Sequence, residues 1–227
     1  MSAPAFQLWP TMRRVERTAW NAIVRCTRAE KLSTLPLPIP VEQWVEGPLG
    51  VTFGIADLGP GVLGIARPPT REMLISDTLV NAEPRFRFTI AHELGHILLH
   101  PRLHAEFRER ADGDYVEDRI EREADRFAAA FLMPLPALGV ELTRVTAKHG
   151  TDPGTVLASA RASHPESLRL LRSHVLPHIT RRFGVSLSAA ARRFCDVQLP
   201  TGDTALPWEV CAQLLPPDPV RDGRRQS

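Results

Sequence analysis

Arg87-Phe-Thr-Ile-Ala-His92-Glu93-Leu-Gly-His96-Ile-Leu-Leu-His100 is the stretch on which the reading of the whole chain turns. Ile90, Leu94, Ile97 and Leu98 recur at helical spacing, which predicts a helix over 85–99 that ends at Pro101. On such a helix His92 and His96 stand one turn apart on one face, so both imidazoles can reach a single ion. Glu93 is rotated by roughly 100° and cannot easily bind that ion itself, but it can hold a water that does. Metal-assisted hydrolysis needs this arrangement: zinc lowers the pKa of a water towards about 7 and a carboxylate accepts its proton. The expected helix is buried on its apolar face and open on the other. The plain alternative is two exposed histidines beside an acid, and a third ligand separates the readings.

A second helix, expected over 116–132, supplies candidates. Glu121 and Asp125 are four residues apart, so one carboxylate can bind the ion while the other supports it one turn along. Asp125 suits the role of accepting the remaining N–H of a ligating histidine. Ile120, Ala124, Phe127 and Phe131 form the packing side of this helix. Glu117 and Glu123 are rival ligands; Glu117 shares the Glu121 face, whereas Glu123 is expected to face solvent.

Together these segments resemble the ImmA/IrrE family of bacterial metallopeptidases, whose members carry R-F-T-x-A-H-E-L-G-H-x-L-L-H and, further on, F-A-x-x-L-L-M-P. The likeness is close from Asp77 to Pro134. It implies a gluzincin-like site in which His92, His96 and Glu121 bind one Zn2+ and Glu93 is the general base. It also implies a zincin-like core and a protein substrate, a helix-turn-helix transcriptional repressor.

Working outward, His100 and His104 continue the four-residue spacing, but Pro101 breaks the register, so His100 is read as structural or supporting. A metzincin would have its third histidine at position 102, which is Arg102. Tyr115, between the two helices, is a possible oxyanion donor, as are His149, His174 and His178. Before the motif, Val51–Ile55, Val62–Ala66 and Met73–Ser76 read as three short strands of one antiparallel sheet. Residues 11–32 read as an amphipathic helix. From Ile179 to Phe194 the sequence reads helix, glycine turn, helix, with Ser186 as N-cap. That outline is helix-turn-helix, yet the second helix carries Ala189-Ala190-Ala191 and no Asn, Gln or Lys with which to read bases.

The fold class expected is α+β: a zincin-like core with a small antiparallel sheet and active-site helices, followed by a helical C-terminal region. The segments are 1–34 (N-terminal helix), 35–136 (metallopeptidase core), 137–199 (helical region) and 200–227 (Pro-rich tail). Acidic residues outnumber basic ones from Ile75 to Pro134 and the balance reverses after Ala137, which marks the boundary. The 227 residues are 43% hydrophobic and 24% charged, which excludes a disordered chain. A net charge of +2 imposes no nucleic-acid partner. The longest apolar stretch, Phe127 to Val140, contains Pro134 and Pro136 and falls short of the about 20 residues a membrane span needs. Three cysteines without a C-x-x-C pair argue against a disulfide framework and for a cytoplasmic setting.

The functional expectation is a zinc endopeptidase with a regulatory protein as substrate, direct nucleic-acid binding being disfavoured. Two alternatives remain: a zinc-bound adaptor that inactivates a repressor by binding, and a DNA-binding regulator acting through 179–194.

Overall fold

A computed structural model describes residues 14–103, 106–110, 119–198 and 203–215. Tyr115, Glu117, His104 and most of the Pro-rich tail lie outside the described residues. The fold is α+β, with one four-stranded sheet and a predominantly helical remainder.

The strands are β1 (Thr52–Ala56), β2 (Val62–Arg67), β3 (Glu72–Ser76) and β4 (Phe107–Arg110), in the order β1-β3-β2-β4. The first three fall within a residue of their expected bounds. β2 is antiparallel to both its neighbours, but β1 is parallel to β3, so the sheet is mixed rather than antiparallel. Connectivity explains the difference. The turns after β1 and β2 each reverse the chain, so β1 and β3 point the same way, and β3 inserts between β1 and β2. The fourth strand, Phe107–Arg110, was not anticipated.

Helix α1 (Arg14–Ala29) buries Val15, Ala19, Ala22, Ile23 and Cys26, the stripe expected from its periodicity. After the short α2 (Val41–Glu46) and the first three strands comes α3 (Glu83–Leu99), which carries the histidine pair. It lies against β2 on one side and α4 (Arg119–Leu132) on the other. The expectation of a helix open on one face is therefore corrected. Ile90, Ala91, Leu94 and Ile97 are fully buried, but so are Glu93 and His96, and His92 is nearly so. Being wedged between a sheet and a helix leaves α3 little free face.

α5 (Leu135–Lys148), α6 (Pro153–Arg161), α7 (Pro165–Leu170), a π-turn at Leu171–Val175, α8 (Leu176–Phe183), α9 (Leu187–Asp196) and α10 (Trp208–Leu214) complete the chain. Gly184 ends α8 in the left-handed region (φ 63°), and the Ser186 hydroxyl caps α9 by accepting from the Ala189 N–H. Two arginines lock this C-terminal part onto the core. Arg87 of α3 donates to the Ile39 carbonyl (2.7 Å) and the Gly184 carbonyl (3.2 Å). Arg193 of α9, fully buried, donates to the Met133 carbonyl (3.1 Å) and pairs with Glu16 of α1. One hydrophobic cluster consequently runs from Val15 to Leu214.

Cys195 and Cys211 are joined between α9 and α10, which corrects the expectation drawn from the cysteine spacing; residues 16 apart in sequence meet because the two helices pack together. Among the described residues no single helix is long and apolar enough to cross a membrane.

Candidate metal centre

His92 and His96 emerge from successive turns of α3 with their Nε2 atoms 3.0 Å apart. From α4, the Glu121 Oε2 lies 3.1 Å from the His92 Nε2 and 3.5 Å from the His96 Nε2. Two helices must approach closely for a short carboxylate to reach across, and Gly95 allows it. A Cβ at position 95 would stand 3.1 Å from the Ala124 Cα, tighter than ordinary contact. One turn past Glu121, the Asp125 Oδ1 accepts the His92 Nδ1–H at 2.9 Å.

That bond has a chemical consequence. With the proton on Nδ1, a neutral His92 turns its Nε2 lone pair towards the lone pairs of His96 and Glu121. Three donors facing one another need either an extra proton or a cation between them. Donors about 2.0–2.1 Å from a tetrahedral zinc stand roughly 3.3 Å apart, close to the spacings of this trio. The three residues therefore fit a metal ion, and all their candidate ligand atoms lie within 4.8 Å of one another.

Without an ion the electrostatics are those of a proton held in its place. Burial alone would depress His92, but the Asp125 and Glu121 carboxylates overturn this and hold its pKa well above the ordinary value. Burial lowers His96, with only partial compensation from Glu121. Burial would raise Glu121, yet the two imidazoles outweigh it and keep its carboxyl well below the usual range. The imidazoles are buried, whereas the side chains of Glu121 and Asp125 are 35% and 56% exposed. The site thus opens on the α4 side.

Residues 49–147, which contain this centre and the whole sheet, match the family model of the IrrE N-terminal-like domain, Peptidase_M78. That stretch, 99 of the 227 residues, is similar to the ImmA/IrrE family. Comparison of the chain with curated proteins gives no match.

Within this matched stretch the motif glutamate stays out of the donor trio and packs against the sheet. Glu93 is fully buried, and burial pushes its carboxyl well above the ordinary range. Its Oε1 occupies a notch made by Gly64 of β2, where a Cβ would come within 2.3 Å of it. Neither oxygen has a hydrogen-bond partner among the described residues. The edge strand β4 closes the far side. Its Phe107 ring stacks on His96 with centroids 4.3 Å apart and the two planes nearly parallel, at 4°.

Gly64, Phe107 and Glu109 are site residues that motif reading missed. A glycine between apolar residues in Val62-Leu63-Gly64-Ile65 was the one available signal, since an isolated strand glycine marks a close approach.

The remaining candidates separate. Glu123 does not face solvent as expected: its side chain is 15% exposed, accepts from Arg119 at 2.8 Å and lies 3.9 Å from His100. Arg119 and His100 both flank it, and together they draw it down onto the protein. His100 is buried beside the site at the end of α3, with its ring 5.9 Å from that of His96. His149 and His174 stack on each other at 4.4 Å, and His178 bonds Glu141 at 2.8 Å.

Proposed function

We propose that this chain is a zinc-dependent endopeptidase whose substrate is a specific regulatory protein, a helix-turn-helix transcriptional repressor. The family supports a metallopeptidase-type activity. The observation that carries the finer reading is the division of labour on α3: His92 and His96 meet Glu121, while Glu93 beside them stays out of the donor set.

A bound zinc would polarise the scissile carbonyl and make an attacking water acidic enough to react near neutral pH. The chain supplies the rest. Glu93 accepts the proton of that water and returns it to the leaving amine. Asp125 fixes the His92 tautomer and thereby the direction of its Nε2. β4 is the last strand of the sheet, and its outer backbone edge can pair with an extended peptide beside the centre.

A purely adaptor role gives no use to a buried, unligated carboxylate next to the donors. A DNA-reading role is disfavoured by the packing of α9, which buries Ala190, Ala191, Arg193 and Phe194 and exposes only Ser188 and Arg192. A recognition helix needs a free face to enter the major groove.

Incubating the zinc-loaded protein with helix-turn-helix repressors from the same genome, and reading fragments by mass spectrometry, tests the reading. Cleavage of one repressor by the wild type, and none by Glu93→Gln with zinc content retained, is the expected result. Inactivation of a repressor by both proteins without fragments would establish the adaptor role instead.

A further inference from the structure

The two imidazoles of the candidate centre are held by different means. His92 has Asp125 on its Nδ1 at 2.9 Å, a hydrogen bond that fixes the rotation of its ring. His96 has no such bond. Its side chain is fully buried, and its Nδ1 is shielded from solvent with no hydrogen-bond partner among the described residues. The two rings cross at 72°, so orienting one does not by itself orient the other.

What His96 has instead is Phe107 of β4. The rings are 4° from parallel, with centroids 4.3 Å apart. Carbon atoms in contact stand about 3.5–4.0 Å apart, so the rings meet face to face with a small offset. Rotation of the imidazole about its Cβ–Cγ bond would drive one of its edges into the Phe107 ring, and the near-parallel setting avoids that. Strand register puts the ring there. Phe107 pairs with Ala66 of β2, and Glu109, two residues on, pairs with Gly64, whose Cβ direction leads to side chains of α3. Residues two apart on a strand share a face, so the sheet itself aims Phe107 at α3.

We propose that Phe107 is a positioning residue: its stacked ring holds the His96 imidazole in the rotation that presents Nε2 to the metal site, the task that the Asp125 hydrogen bond performs for His92. The inference rests on the reading of His92, His96 and Glu121 as ligands of one zinc. An imidazole free to turn would have to be ordered when the ion binds, and that loss of freedom weakens binding. Phe107 acts on the metal only through His96.

The test measures zinc affinity, by competition with a chromophoric chelator, and the melting midpoint of the metal-free protein. Four proteins are compared: wild type, Phe107→Leu, Phe107→Tyr and Phe53→Leu. Phe107→Leu keeps an apolar side chain but no flat face, and its zinc affinity should fall about 10–100-fold, the scale on which loss of a ligand's orienting partner acts. Phe107→Tyr keeps the ring and should bind zinc as the wild type does. Phe53 lies on β1, the opposite edge of the sheet, where it packs edge to face on Phe86. Phe53→Leu should keep wild-type zinc affinity even where its midpoint falls as far as that of Phe107→Leu. Wild-type affinity in Phe107→Leu overturns the proposal. An equal loss in Phe107→Tyr or in Phe53→Leu also overturns it, since the ring would then act only through the stability of the sheet. A wild type that binds no zinc overturns the metal reading and this inference with it, an outcome distinct from a zinc-binding wild type matched by Phe107→Leu.

Discussion

Gly95 of α3 and Ala124 of α4 touch backbone to backbone: a Cβ on Gly95 would lie 3.1 Å from the Ala124 Cα and 3.2 Å from its carbonyl oxygen. This contact sets the separation of the two helices that carry the donor trio. Gly95→Ala should push them apart, cost about 1–3 kcal/mol of stability through overpacking, and draw Glu121 away from the imidazoles. Denaturant unfolding and competition with a chromophoric zinc chelator measure the two effects. Unchanged zinc affinity in a folded Gly95→Ala protein would remove helix spacing from the account.

Asp125 bonds the Nδ1 of His92, the nitrogen turned away from the other two donors. Asp125→Ala should therefore leave the fold intact and weaken zinc binding about 10–100-fold. Isothermal titration with zinc reads this directly, and a wild-type affinity would show that the bond does not orient the ring.

Away from the metal centre, Glu141 of α5 is buried with Arg144, His178 and Arg182 around it, at 2.9, 2.8 and 3.1 Å. Burial would raise its pKa, but His178, Arg182 and Arg144 outweigh that and lower it. A carboxyl whose folded-state pKa is depressed stabilises the fold above its unfolded value of about 4.3, and that stabilisation is lost as pH falls through the folded value. Glu141→Gln should thus cost about 1–3 kcal/mol at neutral pH. The gap between variant and wild type should close on acidification below about pH 4. A gap that stays constant over that range would mean the charge of Glu141 plays no part in stability.

Arg87 ties α3 to the α8–α9 turn through carbonyls that α3 itself does not supply. Arg87→Met should destabilise the protein by about 1–3 kcal/mol, because the Ile39 and Gly184 carbonyls lose their donor. Thermal melting checks the loss. No change would mean the C-terminal helices are held by apolar packing alone.

What the sequence disclosed followed the reach of local periodicity. His92, His96, Glu121 and Asp125 lie on helices, where a four-residue spacing is itself a statement of position, so their convergence was readable before any coordinates. Ser186 and Gly184 were readable because caps and left-handed turns demand particular residues. Pairing between strands carries no such marker, and the parallel β1–β3 contact had to be seen. Glu109 lies in Glu106-Phe-Arg-Glu-Arg110, whose charges read as a surface loop; only pairing with Gly64 shows that it turns inward. Glu123 was assigned to solvent from its helical angle alone, which takes no account of His100 and Arg119 around it. Cys195 and Cys211 are brought together by helix packing, which their spacing did not foretell.

The most direct measurement is the equilibrium zinc affinity of three proteins side by side: wild type, Glu121→Ala and Glu93→Gln. The account predicts one tightly bound zinc in the wild type and in Glu93→Gln, and a large loss of affinity in Glu121→Ala. Wild-type affinity in Glu121→Ala, or loss of zinc in Glu93→Gln, would contradict the assignment of Glu121 as ligand and Glu93 as the acid left free.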